Sequence, residues 1–254
     1  MTVDLERALR AAGLAAPVRW DEVTVSTNAS AVEMASQGAP EWTLVGAGHQ
    51  TAGRGRRDRA WQDRPGQALM VSMILRPRLA PATVGLLSLL AGAAWAESIT
   101  HVAGLDVGCK WPNDLVVDEA SGRAKVGGVL AQSAVEAGSI AYVVVGSGIN
   151  LVEPEGVEGA AGIGAEVDPT LLLGSFLSAF ADGYRSSGDR FAEEVLERWT
   201  RVSVTLGTRV IATDTRGERF EGLAVQVDGA GALVLALEDG ERRTVRSEDV
   251  EHLR

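Results

Sequence analysis

The sequence predicts an α+β chain: a larger domain of mixed helices and strands over residues 1–203, then a small β-barrel over 204–254. Two observations carry this. Up to about Val202, apolar residues recur at both helical and alternating spacing, and helices and strands follow one another irregularly. Beyond Val202 the helical patterns stop. Short alternating runs separated by glycine-containing turns replace them. With 46% of residues apolar, the chain has ample material for a packed core.

In order, Leu5 to Leu14 reads as a short amphipathic helix closed at Gly13, and Arg19 to Val25 as a strand. Ser26-Thr27-Asn28 precedes a helical pattern over Ala29 to Gln37 that stops at Gly38; Ser30 and Glu33 fit a capping box. Trp42 to Gly48 and Ala68 to Leu75 read as strands. Between them lies the run Gly53-Arg54-Gly55-Arg56-Arg57-Asp58-Arg59. Thr83 to Val102 carries leucines and alanines at helical spacing. Its longest apolar stretch, 84–96, is too short to span a bilayer and reads as a buried helix. Asp106 to Lys110 leads into Trp111-Pro112-Asn113-Asp114, and Asp114 to Val117 pairs as a hairpin with Lys125 to Val135. Ile140 to Gly146 is an apolar strand, and Pro169 to Arg185 and Asp189 to Thr200 are helices. The barrel strands are Arg209 to Thr213, Arg219 to Val227, Ala232 to Leu237 and Arg242 to Val245, with Asp228-Gly229 and Asp239-Gly240 as turns.

Charge and cysteine content exclude several classes. The net charge of −10 argues against a phosphate-backbone partner, which demands a basic face. A single cysteine, Cys109, rules out a disulfide framework and a cysteine-built zinc site. The first ten residues carry charges and no apolar core, unlike a signal peptide, so a cytoplasmic protein is expected.

Positive charge gathered in one loop of an acidic chain suits a specific anion. Gly53 and Gly55 allow a close backbone approach, and Arg54, Arg56 and Arg59 present planar forks that match phosphate or carboxylate oxygens. The run also reads as a solvated turn whose arginines pair with Asp58 and Asp63. Lys110, at a strand end before a proline-stiffened corner, can stabilise charge developing at phosphorus, or simply extend to solvent. Ser26, Thr27 and Asn28 are favoured helix-capping residues whose short polar groups also suit a polar ligand head. Gln50 can read an amide.

Taken together, STN (26–28), HQTAGRGRRDRAW (49–61), KWPNDL (110–115), KVGGVL (125–130) and VGSGINL (145–151) resemble the biotin protein ligases. The resemblance covers roughly 18–150 with specific motifs and extends loosely through the barrel. It implies a class II synthetase-like catalytic domain, a mixed sheet with helices against it, followed by an SH3-like barrel. It implies a two-step reaction with ATP, biotin and Mg²⁺: biotin's carboxylate attacks the α-phosphorus to give biotinyl-5′-AMP, and a lysine of a biotin carboxyl carrier protein then displaces AMP. The carrier would belong to an acyl-CoA carboxylase or pyruvate carboxylase.

By the same resemblance Lys110 and Arg56 are catalytic, and Arg54, Arg56, Arg59 and the glycines Gly53 and Gly55 hold the adenylate. Ser26, Thr27, Asn28 and Gln50 meet the ureido end, and Trp111 and Val129 wall the alkyl chain and thiophane ring. Lys125 belongs to the substrate-binding set, Gly127 and Gly128 leave room for the ligand, and Asn150 faces the adenine. No resident metal site is expected. Asp58 departs from the small residue usual in the loop. Fewer than twenty residues precede Arg19, too few for a winged helix-turn-helix, so a ligase without the DNA-binding domain is expected, as a monomer or weak homodimer. A lipoate or octanoate ligase of the same fold, and a biotin-binding regulator without catalysis, are the alternatives.

Overall fold

The computed structural model describes residues 2–56, 59–120, 122–185, 190–213, 217–246 and 249–252. Its centre is a seven-stranded mixed sheet. The strands are β1 (Val18–Asp21), β2 (Leu44–Ala47), β5 (Ala68–Leu75), β6 (Gly108–Lys110), β7 (Asp114–Glu119), β8 (Gly122–Glu136) and β9 (Ser139–Asn150). Their spatial order is β1-β2-β5-β9-β8-β7-β6. Only β1 and β2 run parallel; every other neighbouring pair is antiparallel.

All eight residues of β5 are buried, as expected for a central strand covered on both faces. One face carries α1 (Leu5–Ala11), α3 (Gly85–Ala103), α4 (Pro169–Arg185) and α5 (Phe191–Arg201). There the Trp95 and Phe176 rings stack at 3.9 Å, and Phe180 meets Trp42 edge-on at 6.1 Å. Phe180 is completely buried, so Phe180→Ala is expected to lose about 3–5 kcal/mol of stability in denaturant unfolding. The other face carries α2 (Thr27–Ser36), whose Ala31 and Ala35 pack on Val45, Ile74 and Val144. Because α2 covers only part of that face, the rest is left for a cavity.

Residues 81–103, α3 with the turn before it, are apolar and long enough to cross a bilayer by length and composition, but they are mostly buried in the core and stop at Gly104, whose φ of 66° is a left-handed cap. A two-residue hairpin, β3 (Gly53–Arg54) with β4 (Ala60–Trp61), stands apart from the main sheet. The last domain is a five-stranded antiparallel sheet of SH3-like type. It comprises β10 (Arg209–Thr213), β11 (Arg219–Val227), β12 (Leu233–Ala236), β13 (Arg242–Val245) and β14 (Asp249–His252). Their spatial order is β13-β12-β11-β10-β14.

Several expectations need correction. β1 ends at Asp21 rather than Val25; only an isolated bridge from Thr24 to Gln50 continues it. α2 starts at Thr27, so Ser30 and Glu33 lie inside the helix and form no capping box. The Ser26 side chain makes no capping bond, and the first N–H of the helix, on Thr27, is met instead by Gln50 Oε1 at 2.7 Å. The β3–β4 hairpin and β14 escaped the pattern. The first residues are too few to show alternation, and Asp249-Val250-Glu251-His252 offers a single apolar residue. Asp189, Arg57 and Asp58, and with them the effect of Asp58 on the loop, lie outside the described residues.

Candidate active site

The floor of the site is a hydrogen-bonded chain where β1 hands over to α2. Gln50 Oε1 accepts from the Thr27 backbone N–H at 2.7 Å. Thr27 Oγ1 lies 2.8 Å from Ser72 Oγ, and Ser72 donates to Asn28 Oδ1 at 2.6 Å. Asn28 Nδ2 donates to Leu130 O at 3.2 Å and Gln132 Oε1 at 3.1 Å. Ser26, Thr27, Asn28 and Ser72 are all at most 6% exposed. The side chains of Thr27, Asn28 and Ser72 thus hold one another in place before any ligand arrives. Ser72 was not foreseen, because a serine inside an apolar strand gives no signal of its own.

Two glycines of β9 make this packing possible. A Cβ on Gly146 would stand 1.7 Å from Asn28 Oδ1, and one on Gly148 2.6 Å from the Trp61 indole. Each of these glycines is the hole that a neighbouring side chain fills.

The cations arrive from three segments. The β3–β4 hairpin brings Arg54, Arg56 and Arg59; β6 brings Lys110; β8 brings Lys125. All five line one cavity of about 310 Å³ together with the Ser26–Asn28 floor, Gln50, Gly55, Trp111 and Gly128. The carboxylate among the lining residues is Asp114, and Lys125 Nζ sits 2.5 Å from its Oδ1. Lys110 makes no ion pair with a described residue. Among its described lining residues the cavity of this acidic chain carries net positive charge, which focuses an anionic ligand.

The placement of Lys125 depends on a β-bulge. The register runs Leu115↔Gly127 and then Val116↔Lys125, leaving Val126 unmatched. Strict alternation would put Lys125 and Gly128 on opposite faces. The extra residue brings them together, and a Cβ on Gly128 would lie 3.3 Å from Lys125 Nζ. Gly127 then points away, toward Ile149 Cδ1 and Leu115 Cδ1. The corner after Lys110 carries a cis Trp111–Pro112 bond and is tied to β8: Asn113 Nδ2 donates to Val129 O at 2.8 Å, and Val129 N donates to Asn113 O at 2.9 Å.

Three candidates do not line this cavity. Gly127 packs on the core side, as described. Gly53 faces its hairpin partner, where a Cβ would lie 2.7 Å from Trp61 O. Asn150 is 5% exposed, and its Nδ2 donates to Ala161 O at 3.1 Å and Lys125 O at 3.4 Å. In this conformation its amide braces the loop over 159–161 instead of turning toward the cavity. Conversely, Trp61, Asn113, Asp114, Leu130, Ser147 and Val250 line the cavity although none was singled out as a site residue. Ser147 Oγ accepts from Trp95 Nε1 at 2.8 Å, which ties the cavity wall to α3.

Fold and site together define a two-domain α+β protein with a preformed polar floor and a cationic wall suited to a small acid and a phosphate. Residues 20–150 match the model of the Biotin/lipoate A/B protein ligase family, and residues 205–253 match the Biotin protein ligase C terminal domain. The chain belongs to the Biotin/lipoate A/B protein ligase family. It is 31% identical to the biotin–[acetyl-CoA-carboxylase] ligase of Mycobacterium tuberculosis, the match covering 98% of this chain and 96% of that one. It is likewise 31% identical to the bifunctional ligase/repressor BirA of Bacillus subtilis, over 91% of this chain and 73% of that protein. In fold it resembles the Aquifex aeolicus biotin protein ligase in complex with biotin and ATP, with a TM-score of 0.75 at 23% identity over 93% of this chain and 99% of the other.

Proposed function

We infer that the chain is an ATP-dependent biotin protein ligase, with the two domains divided at residues 203 and 204. It joins biotin to AMP and passes the biotinyl group to a lysine of a biotin carboxyl carrier protein. The observation that carries this reading is the shared cavity: arginines of the 53–59 loop and Lys110, more than fifty residues apart in sequence, line one space above the polar floor.

The chemistry fits the residues. In the first step a carboxylate oxygen bonds to the α-phosphorus, the bond to pyrophosphate breaks, and both partners are anions. Placed cations that need no reorganisation are the effective catalyst for such a step. Lys110 supplies an ammonium not committed to a carboxylate among the described residues, and Arg54, Arg56 and Arg59 hold the nucleotide. Lys125, paired with Asp114, adds a second ammonium while keeping that carboxylate off Lys110. Thr27, Asn28 and Gln50 orient the ureido end. In the second step the carrier's lysine, as a neutral amine, attacks the acyl carbonyl, the bond to AMP breaks, and the amine proton is released.

Mg²⁺ belongs to this reading as the escort of the nucleotide's phosphates. Among the described residues no three His, Cys, Asp or Glu side chains gather as a metal site, and the cavity's Asp114 is engaged by Lys125. Those donors fit an ion carried in by phosphate oxygens and water. The names of the relatives favour a carboxylase carrier as acceptor. The Biotin protein ligase C terminal domain match favours biotin over lipoate. The setting is a compartment supplied with ATP, read as the cytoplasm.

The test is pyrophosphate exchange into ATP with each acid. Exchange driven by biotin and labelling of a carrier support the reading; exchange driven by lipoate alone overturns it. Tight biotin binding without exchange or carrier labelling would identify a regulator instead. Arg56 lines the same cavity as Lys110 and Trp111. Arg56→Gly is expected to weaken retention of the adenylate, so that leaked biotinyl-5′-AMP labels bystander proteins several-fold more than wild type does, as read on an avidin blot.

A further inference from the structure

We propose that Thr205, in the segment joining the two domains, is a positioning residue for Lys110. The proposal rests on the reading of Lys110 as the cation of adenylate formation.

Lys110 ends the edge strand β6. On one side it is in register with Asp114 of β7. The other side is occupied by the segment that leaves α5. Cys109 N donates to Val202 O at 2.7 Å, and Val204 N donates to Cys109 O at 3.0 Å, so residues 202–204 run beside β6 as a parallel bridge. The contact continues past Lys110. The Trp111 backbone N–H donates to Thr205 Oγ1 at 2.9 Å, and the Trp111 indole N–H donates to Gly231 O at 3.1 Å. Residues on both sides of Lys110 are therefore held by the interdomain segment, and Trp111 also by the barrel.

Thr205 is itself fixed. It is fully buried, its N–H donates to Ser203 Oγ at 3.2 Å, and its carbonyl accepts from Thr208 Oγ1 at 2.7 Å. No carboxylate among the described residues anchors the Lys110 head, so the aim of the side chain is set by the backbone from which it springs. Removing the Thr205 acceptor leaves a buried Trp111 N–H without a partner. The chain must shift to satisfy it, and that shift is passed to the neighbouring lysine. Misplacing a catalytic group by about 1 Å costs up to about 10²-fold in rate.

The experiment uses the full chain with Thr205→Val, which keeps the shape and removes the acceptor, and Thr205→Ser, which keeps the acceptor. Three quantities are read: pyrophosphate exchange, biotin affinity by calorimetry, and transfer to the carrier from preformed biotinyl-5′-AMP. Thr205→Val is expected to lower kcat of exchange about 10- to 100-fold, with biotin Kd and transfer within about threefold of wild type. Thr205→Ser is expected to restore exchange. A wild-type kcat in Thr205→Val, an equal fall in all three quantities, or failure of Thr205→Ser to rescue overturns the proposal. Should Thr205→Val not fold, Thr205→Cys, with sulfur as a weak acceptor, is read instead; its kcat is expected to lie between the two, and a wild-type value overturns the proposal. Exchange surviving in Lys110→Ala would instead remove the underlying reading of Lys110. An inactive Lys110→Ala beside a fully active Thr205→Val would remove this inference alone.

Discussion

Lys110→Ala is expected to lower pyrophosphate exchange by about 10²- to 10³-fold while leaving the melting temperature close to that of wild type. The two halves of the prediction have separate grounds. The rate falls because a carboxylate and a phosphate must approach each other, and the transition state carries its negative charge on the oxygens around the α-phosphorus. An ammonium already in place there acts without reorganisation. The fold survives because Lys110 is half-buried and makes no ion pair with a described residue, so its removal strands no described partner. Lys125 differs on this second point: its loss would leave Asp114 unpaired in the cavity. Exchange at the wild-type rate in Lys110→Ala would remove this lysine from the chemistry.

Gly146→Ala is expected to weaken biotin binding by about 100-fold or more, although it adds one methyl group. The new carbon would lie 1.7 Å from Asn28 Oδ1, a distance no structure tolerates, and β9 is clamped between β5 and β8. Asn28 must therefore move, which breaks its bonds to Ser72, Leu130 O and Gln132. Each buried polar group left unpaired costs about 1–3 kcal/mol, and 2.7 kcal/mol is about 100-fold in affinity. Because the two residues share one space, Asn28→Ala and Gly146→Ala should be strongly non-additive, the double variant binding better than the product of the single losses requires. Calorimetric titration with biotin checks both statements. Additive losses would mean that the floor is not a unit.

Much of the fold was legible because its strongest elements rest on local rules. The central strand over 68–75 and the helix over 169–185 were read to the residue, although the strand was read from alternation and all eight of its residues prove buried. The start of α2 was misread because a glutamine twenty-three residues away, not a neighbouring side chain, takes the first helical N–H. The cationic residues of the cavity were visible as motifs, but what supports them was not. A single unmatched residue in β8 decides that Lys125 shares a face with Gly128 rather than with Gly127, and nothing in Val126 itself announces it. Ser72 and Gly146 matter only through contacts made across the sheet, which chain order does not reveal. Asn150 matched its motif by position, yet its amide is spent on the carbonyls of Ala161 and Lys125.

Cys109, the chain's lone cysteine, is 2% exposed in the middle of β6, where a Cβ on Gly92 of α3 would stand 3.4 Å from its sulfur. Burial first, and the Glu97 carboxylate second, push its pKa up, so at neutral pH it remains a thiol and not a nucleophilic thiolate. Maleimide dyes should therefore leave the native protein unlabelled. A single cysteine engineered on the surface would then accept a fluorophore without background, and docking of a carrier could be followed by energy transfer on unaltered machinery.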